Sequence, residues 1–142
     1  MYRFLFILIF LLILCVGCQT NNNSSSNTPK EALEQIHIDG GFAEVVEIYE
    51  TIEIDEDRVI GVYKGTINNS EEIFVANIEQ VDGRWLVTDA QNIGMPSADS
   101  LNQSSVTEKF KAGFADKHSF LNEEIITIEL SDRNFKIWIE VF

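Results

Sequence analysis

The chain has 142 residues, and 23 acidic residues against 10 basic ones give it a formal net charge of −13 at pH 7. Binding to phosphate groups requires clustered Lys and Arg, so this charge argues against nucleic acid, anionic lipid head groups and wall polyanions as partners. Net charge bears on partners and solubility rather than on fold. It leaves open a cationic partner, a divalent ion, or simple solubility beside a charged envelope, and we favour the last.

The chain begins with a short apolar segment. Phe4 to Val16 contains no charged residue and follows Arg3. A helix that crosses a bilayer needs about 20 apolar residues, so this shorter run predicts the apolar core of a signal peptide that is removed from the mature chain. Loss of Arg3 would change the net charge from −13 to −14.

The residues that end this segment resemble the bacterial lipobox, in which small residues precede a cysteine that is acylated before cleavage. Gly17 fits the position before the cysteine, Val16 is acceptable one place earlier, and Cys15 departs from the usual leucine. The resemblance implies a signal peptide over residues 1–17, cleavage after Gly17 and a lipid anchor on Cys18. That anchor would hold the protein on the extracytoplasmic face of the cell membrane. The alternatives are an uncleaved anchor and cleavage by the ordinary signal peptidase.

Cys15 and Cys18 also form a C-x-x-C spacing, which elsewhere indicates redox or metal chemistry. Here Cys15 would leave with the signal peptide, so we expect no disulfide or metal role for the pair. Residues 18–28 then follow as a polar segment, and residues 19–28 contain no aliphatic or aromatic side chain. Such a segment cannot bury apolar surface, and we expect a flexible tether with an end-to-end distance of about 15–20 Å. The remainder, 29–142, has the size of a single domain.

A helix is predicted at the start of this domain. In Thr28–Glu31 the threonine can cap, the proline suits the first helical position and the glutamate can complete a capping box. An apolar stripe follows and Asp39-Gly40-Gly41 ends it, so we expect a helix from Pro29 to about His37. A helix this short is marginal alone and must pack on another element.

Four strands joined by tight turns are predicted next. The first, Val46 to Ile54, alternates at strand spacing except at Glu50. Asp-Gly at 82–83 is the strongest hairpin signal in the chain. The other strands are Val59–Ile67, Ile73–Val81 and Trp85–Ala90, with turns at 55–57 and 68–70. The pattern predicts an antiparallel meander.

The rest of the chain predicts a surface crossing and further strands. Residues 94–105 are small and polar. Phe110 to Phe114 alternates as a strand, although Val106, Phe110 and Phe114 also fit helical spacing. The last predicted hairpin consists of Ile125–Leu130, a turn at 131–134, and Phe135–Val141. We therefore expect an α+β domain that is mainly β, with one short amino-terminal helix packed on a twisted antiparallel sheet of six to seven strands.

Three segments, residues 28–33, 58–64 and 78–87, resemble small uncharacterised lipoproteins of Gram-positive, firmicute-type bacteria. In those proteins a helix precedes hairpins that end in a D-G-x-W-x-V strand, which corresponds to Asp82 to Val87. The resemblance implies a cystatin-like or nuclear-transport-factor-like layout of a helix against a curved sheet. It implies no catalytic residues.

The sequence offers no catalytic signature. It has no Gly-x-Ser-x-Gly elbow, and His37 and His118 are its only conventional bases. We expect both histidines to be structural or exposed. Asp55 and Asp57 could offer oxygen ligands to calcium, but a solvated turn is the more economical interpretation. We expect no cofactor and no metal.

Aromatic exposure is the best sequence clue to binding. Trp138 alternates with charged neighbours, opposite the apolar stripe of its strand, so Trp138 and Phe142 would face solvent or a groove if only one side of the sheet is covered. The alternative is that a second layer, or the helix, covers them. We therefore expect a non-enzymatic binding or interaction module. A small inhibitor or immunity-type lipoprotein that shields a membrane partner, and an envelope enzyme that uses surface carboxylates, remain as alternatives.

Overall fold

The computed structural model describes residues 26–37, 41–101, 103–131 and 134–142. The elements in these ranges are α1 (Pro29–Glu34), β1 (Glu44–Asp55), β2 (Arg58–Ile67), β3 (Ser70–Val81), β4 (Arg84–Gly94), a 3₁₀ turn (Ala98–Ser100), β5 (Ser104–Val106), β6 (Phe110–Asp116), β7 (Ile126–Glu129) and β8 (Phe135–Val141). The predicted signal peptide, Gly17, Cys18 and most of the predicted tether lie outside the described residues.

The helix begins as predicted. The backbone N–H of Glu31 donates to Thr28 Oγ1 at 3.2 Å, and the Glu31 carboxylate accepts the N–H of Asn27 at 2.8 Å. Gln35 is the C-cap of α1, and Ile36 and His37 are again helical, so helical structure reaches His37 as predicted. Leu33 is fully buried, and its Cδ1 would lie 2.6 Å from a Cβ at Gly61. Glycine at position 61 therefore lets the helix pack closely on the sheet.

The predicted meander is confirmed, and its four strands form one antiparallel sheet in the order β1-β2-β3-β4, here called sheet A. Two of its turns require left-handed backbone conformations. Asn68 and Asn69 have φ values of 51° and 62°, and Asp82 and Gly83 have φ values of 52° and 75°. Successive left-handed residues are typical of the type I′ turn that matches strand twist.

Strand β1 departs from simple alternation for a physical reason. Its pairing with β2 shifts register between Val45 and Glu47, between Ile48 and Glu50, and between Glu53 and Asp55. Each extra residue in a β-bulge turns the following side chains to the other face. As a result, Ile48 packs under the helix, whereas Ile52 packs on the opposite face of the sheet.

The prediction of a single sheet of six to seven strands is wrong, and with it the α+β class and the cystatin-like or nuclear-transport-factor-like layout. The fold is mostly β, with two four-stranded antiparallel sheets, and the second, sheet B, has the order β5-β6-β8-β7. The chain leaves sheet A at Gly94, whose φ is 77°, and forms the 3₁₀ turn before β5. The later strands therefore pair with one another instead of extending sheet A. Strand β5 lies partly within the predicted surface crossing.

Two apolar cores hold the layers together. The first lies between the sheets and includes Ile60, Val75, Phe110, Phe114 and Ile139. The second lies between sheet A and the helix and includes Leu33, Tyr63 and Ile78, with half-buried Trp85 at its margin. Sheet A is therefore covered on both faces, which explains why consecutive residues of β2 and β3 are buried. Sheet B has its core on one face.

Candidate interaction surface

The outer face of sheet B carries the predicted binding residue Trp138. Ile137 and Ile139 belong to the core between the sheets, and side chains alternate along a strand, so Lys136, Trp138 and Glu140 lie on the outer face. The register places Gly113 of β6 and Thr127 of β7 on either side of Trp138.

Trp138 is half-buried and held against β6. Its Nε1 donates to the carbonyl of Phe114 at 3.2 Å, and its ring lies 3.1 Å from where a Cβ at Gly113 would be. The Lys111 ammonium lies 5.6 Å from the ring centroid, in cation–π contact. Among the described residues no helix or further sheet packs on this face, and neighbouring side chains and the β6 backbone limit the open area of the indole.

Phe142 lies beyond the end of β8, and its side chain is 59% exposed. Its backbone is fixed, because its N–H donates to the carbonyl of Lys109 at 2.9 Å and its carbonyl accepts from Arg58 Nη1 at 2.9 Å. It lies four residue steps beyond Trp138, about 13 Å along the chain. The structure does not combine the two predicted residues into one compact patch.

A loop that sequence analysis missed crosses this face. Because β8 lies between β6 and β7, the connection of residues 117–125, here called the crossover loop, must pass over β8. Lys136 on the outer face donates to the carbonyl of Ser119 at 2.5 Å, and Lys117 pairs with Glu129 at 3.1 Å. The crossover loop therefore lies on the outer face of sheet B.

Phe120 is fully exposed on the crossover loop. The residues around it are fixed by hydrogen bonds, since Ser119 bonds to Asp116 through both its N–H and its hydroxyl and Ile125 donates to the carbonyl of Asn122 at 3.0 Å. Phe120 is the most exposed of the large hydrophobic side chains in the described residues, at 103% against 60% or less for the others. The sequence feature that could have indicated this exposed residue is the apolar pair Phe120-Leu121, which lies in a polar stretch between two strands.

The two histidines do not form a site. His118 is exposed, and its N–H donates to Asp116 Oδ1 at 2.9 Å in the crossover loop region. His37 is exposed just beyond α1, on the opposite side of sheet A. They belong to different layers of the fold, and both are exposed.

A small polar cavity of about 130 Å³ lies at the end of the sandwich beside Lys64. The ammonium of Lys64 lies 3.3 Å from Glu47 and 3.6 Å from Glu71, and the floor is apolar, with Ile73 and Leu130. The hydrogen bond to Glu47 is the main cause that raises the pKa of Lys64, with a further contribution from the charge of Glu71. Lys64 therefore stays protonated and is unsuited to act as a base.

Asp55 and Asp57 lie at the exposed tip of the β1–β2 hairpin. The N–H of Asp57 donates to Asp55 Oδ1 at 3.0 Å, which is a turn-stabilising bond typical of aspartate. Within the described ranges, no group of three or more His, Cys, Asp and Glu residues is arranged to hold a metal ion. The geometry explains these two carboxylates as turn residues.

Comparison of the chain with protein-family models, with curated proteins and with solved structures gave no match. In the part of the chain that the structure describes, no helix is both long and apolar enough to cross a membrane.

Proposed function

We propose that the protein is a lipid-anchored extracytoplasmic protein and a non-enzymatic interaction module that docks a protein partner through Phe120. The observation that carries the docking proposal is the full exposure of this side chain on a hydrogen-bonded loop. Aromatic anchors are enriched among the residues that dominate binding energy. A fixed loop also reduces the conformational entropy lost on binding.

The anchor proposal is supported by the sequence, in which an uncharged apolar run ends in Gly17-Cys18. Metabolic labelling with a fatty-acid analogue tests it. We expect label on the wild type, none on Cys18→Ser, and undiminished label on the matched control Cys15→Ser. Label that persists in Cys18→Ser, or a wild type without label, would overturn the anchor.

The docking proposal is tested by a photoreactive phenylalanine analogue placed at position 120 or, as a control, at position 142 in cells. Both sites replace exposed phenylalanines, so they differ in surroundings rather than in chemistry. We expect a discrete crosslinked product from position 120 that is absent from position 142. No product from position 120, or the same products from both, contradicts docking through Phe120.

The inhibitor- or immunity-type alternative is favoured by the same observation, because shielding a partner requires an exposed apolar anchor rather than a polar cleft. An integral membrane protein as the crosslinked partner would support this alternative, and a soluble or wall-bound partner would oppose it. The enzyme alternative needs a carboxylate whose pKa is raised by burial or by a second carboxylate. The pKa of Glu79 is instead lowered, first by the hydrogen bond from Asn77, so it lends that alternative no support.

A further inference from the structure

The described chain enters the domain at one end of the sandwich. The N–H of Trp85 donates to the carbonyl of Ser26 at 2.9 Å, and Ser26 forms an antiparallel bridge with Trp85. Trp85 is the second residue of β4 and lies next to the β3–β4 turn. The position of Ser26 is therefore fixed relative to the folded domain.

The neighbours of this entry point define what we call the anchor-side end. The N–H of Gln80 donates to the carbonyl of Asp57 at 2.8 Å, so the β1–β2 and β3–β4 turns lie side by side. Arg58 links the first of these turns to Phe142. The anchor-side end thus consists of residues 55–58, 81–84 and Phe142.

The opposite end carries the β2–β3 turn. Ser70 and Gln80 are both exposed and lie on β3, where ten residues span about 33 Å. The crossover loop starts toward this opposite end, because Lys136, which holds Ser119, is five residues along β8 from Val141, about 17 Å away. The two ends of the domain are therefore about 33 Å apart along β3.

The length of chain that precedes Ser26 limits how far the domain can move from its anchor. Eight residue steps join Cys18 to Ser26, and even a fully extended chain spans at most about 3.6 Å per residue, or about 29 Å. We infer, resting on the proposed lipid anchor at Cys18, that the anchor-side end faces the bilayer while the β2–β3 turn and the start of the crossover loop, with Ser119 and Phe120, face away from it. Phe120 is then presented to partners in the wall or the medium, or to the outer part of a membrane protein.

The charges of the anchor-side end bear on how closely it approaches lipid. Asp55, Glu56, Asp57 and Asp82 are exposed there, and Arg58 and Arg84 are the cations of this end. Anionic head groups repel these carboxylates over about one Debye length, roughly 10 Å at 0.1 M salt. The apolar side chains of Val81 and Phe142 lie at this end. They can therefore approach a zwitterionic bilayer more closely than an anionic one, because the neighbouring carboxylates are repelled only by the anionic bilayer.

Energy transfer from a labelled cysteine to acceptor-tagged head groups tests this orientation. The full lipidated protein, as Gln80→Cys or as the matched control Ser70→Cys on the same strand, carries the donor and is reconstituted in phosphatidylcholine vesicles. We expect both proteins to float with the vesicles and transfer to be several-fold more efficient from position 80. Equal transfer, or stronger transfer from position 70, overturns the orientation while the anchor stands. Failure of both proteins to float overturns the anchor and the orientation together.

Discussion

Arg58 and Phe142 are 84 residues apart in the chain, and Arg58 Nη1 donates to the carbonyl of Phe142 at 2.9 Å. The same guanidinium donates through Nη2 to the carbonyl of Lys109 at 2.8 Å and through Nε to Asn77 Oδ1 at 2.8 Å. One side chain of sheet A therefore fixes both the entry to β6 and the end of β8, and it joins the two sheets at the anchor-side end.

Replacing Arg58 should weaken this junction. Hydrogen bonds from a charged donor contribute about 1.5–3 kcal/mol, and Asn77, which is fully buried, would lose a partner. We expect Arg58→Ala to lower the free energy of unfolding by about 2–3 kcal/mol in urea titration. Arg84→Ala, at the exposed β3–β4 turn, is the control and should change it by less than about 0.5 kcal/mol. Equal effects of the two substitutions would show that Arg58 does not join the sheets energetically.

The carboxylate of Glu79 predicts a dependence of stability on pH. Its pKa lies below the usual 4.5, because Asn77 and then Lys109 donate hydrogen bonds to its charged form. Such a group stabilises the fold above its unfolded pKa, and the stabilisation is lost as pH falls through the lower pKa of the folded state. We expect Glu79→Gln to be less stable than the wild type at pH 7, and the difference to shrink at acid pH below about 4.

Glu56→Gln, at the exposed hairpin tip, serves as the control for this comparison. Chemical denaturation of all three proteins at pH 7 and at acid pH measures the differences. A stability gap between the wild type and Glu79→Gln that is constant over this range would contradict the assignment of the effect to the Glu79 carboxylate.

Gly113 should be required for the position of Trp138. A Cβ at this residue would lie 2.6 Å from the carbonyl oxygen of Gln103 and 3.1 Å from the indole, so the backbone or the ring must move. We expect Gly113→Ala to cost about 1–3 kcal/mol and, in a Trp85→Phe background, to shift Trp138 emission to longer wavelength. Ala115→Ser, on the same face of β6, should leave the emission unchanged, and unchanged emission in Gly113→Ala as well would disprove the contact.

Phe120 should be dispensable for folding. A fully exposed side chain contributes little to stability, so Phe120→Ser should change the free energy of unfolding by less than about 0.5 kcal/mol. Phe114, which is 1% exposed in the core between the sheets, provides the contrast, and Phe114→Ala should cost about 3–5 kcal/mol. Urea titration distinguishes them, and a large loss for Phe120→Ser would mean that this residue packs within the fold.

The β1–β2 hairpin should bind no calcium. Asp55 already accepts the N–H of Asp57, and two carboxylates are fewer ligands than the six to eight oxygens that calcium takes. Calorimetric titration of the protein with calcium in the millimolar range should give no binding heat beyond dilution. A saturable heat that disappears in Asp55→Asn would reverse this interpretation.

Much of sheet A followed from short segments of sequence. The cap at Thr28, the turn at Asp82-Gly83 and the hairpin of β2 and β3 depend on interactions between residues close in the chain, and the structure confirms each of them. The bulges of β1 could not be predicted from the local sequence, because the placement of Ile48 and Ile52 on opposite faces depends on the register of β1 with β2.

The division into two sheets could not be predicted from local sequence patterns. The alternation of apolar and polar residues in β5, β6, β7 and β8 is the same whether these strands extend sheet A or pair with one another. One sign was present in β2, where Val59 to Tyr63 is an almost unbroken apolar run. Burial on both faces gives such runs, and a sheet with two covered faces needs a second layer beyond the helix.

By itself the sequence determined the acidic charge, the Gly17-Cys18 ending of the apolar segment, the helix start and the turns of the meander, because each depends on composition or on neighbouring residues. Only the tertiary structure decided that sheet B forms separately, that Arg58 reaches Phe142, and that Phe120 faces solvent. Those outcomes depend on which distant strands meet and on the order β6-β8-β7, which forces the crossover loop over the outer face. Local preferences of the chain cannot set that order, because it is fixed by the packing of apolar faces contributed by segments far apart in sequence.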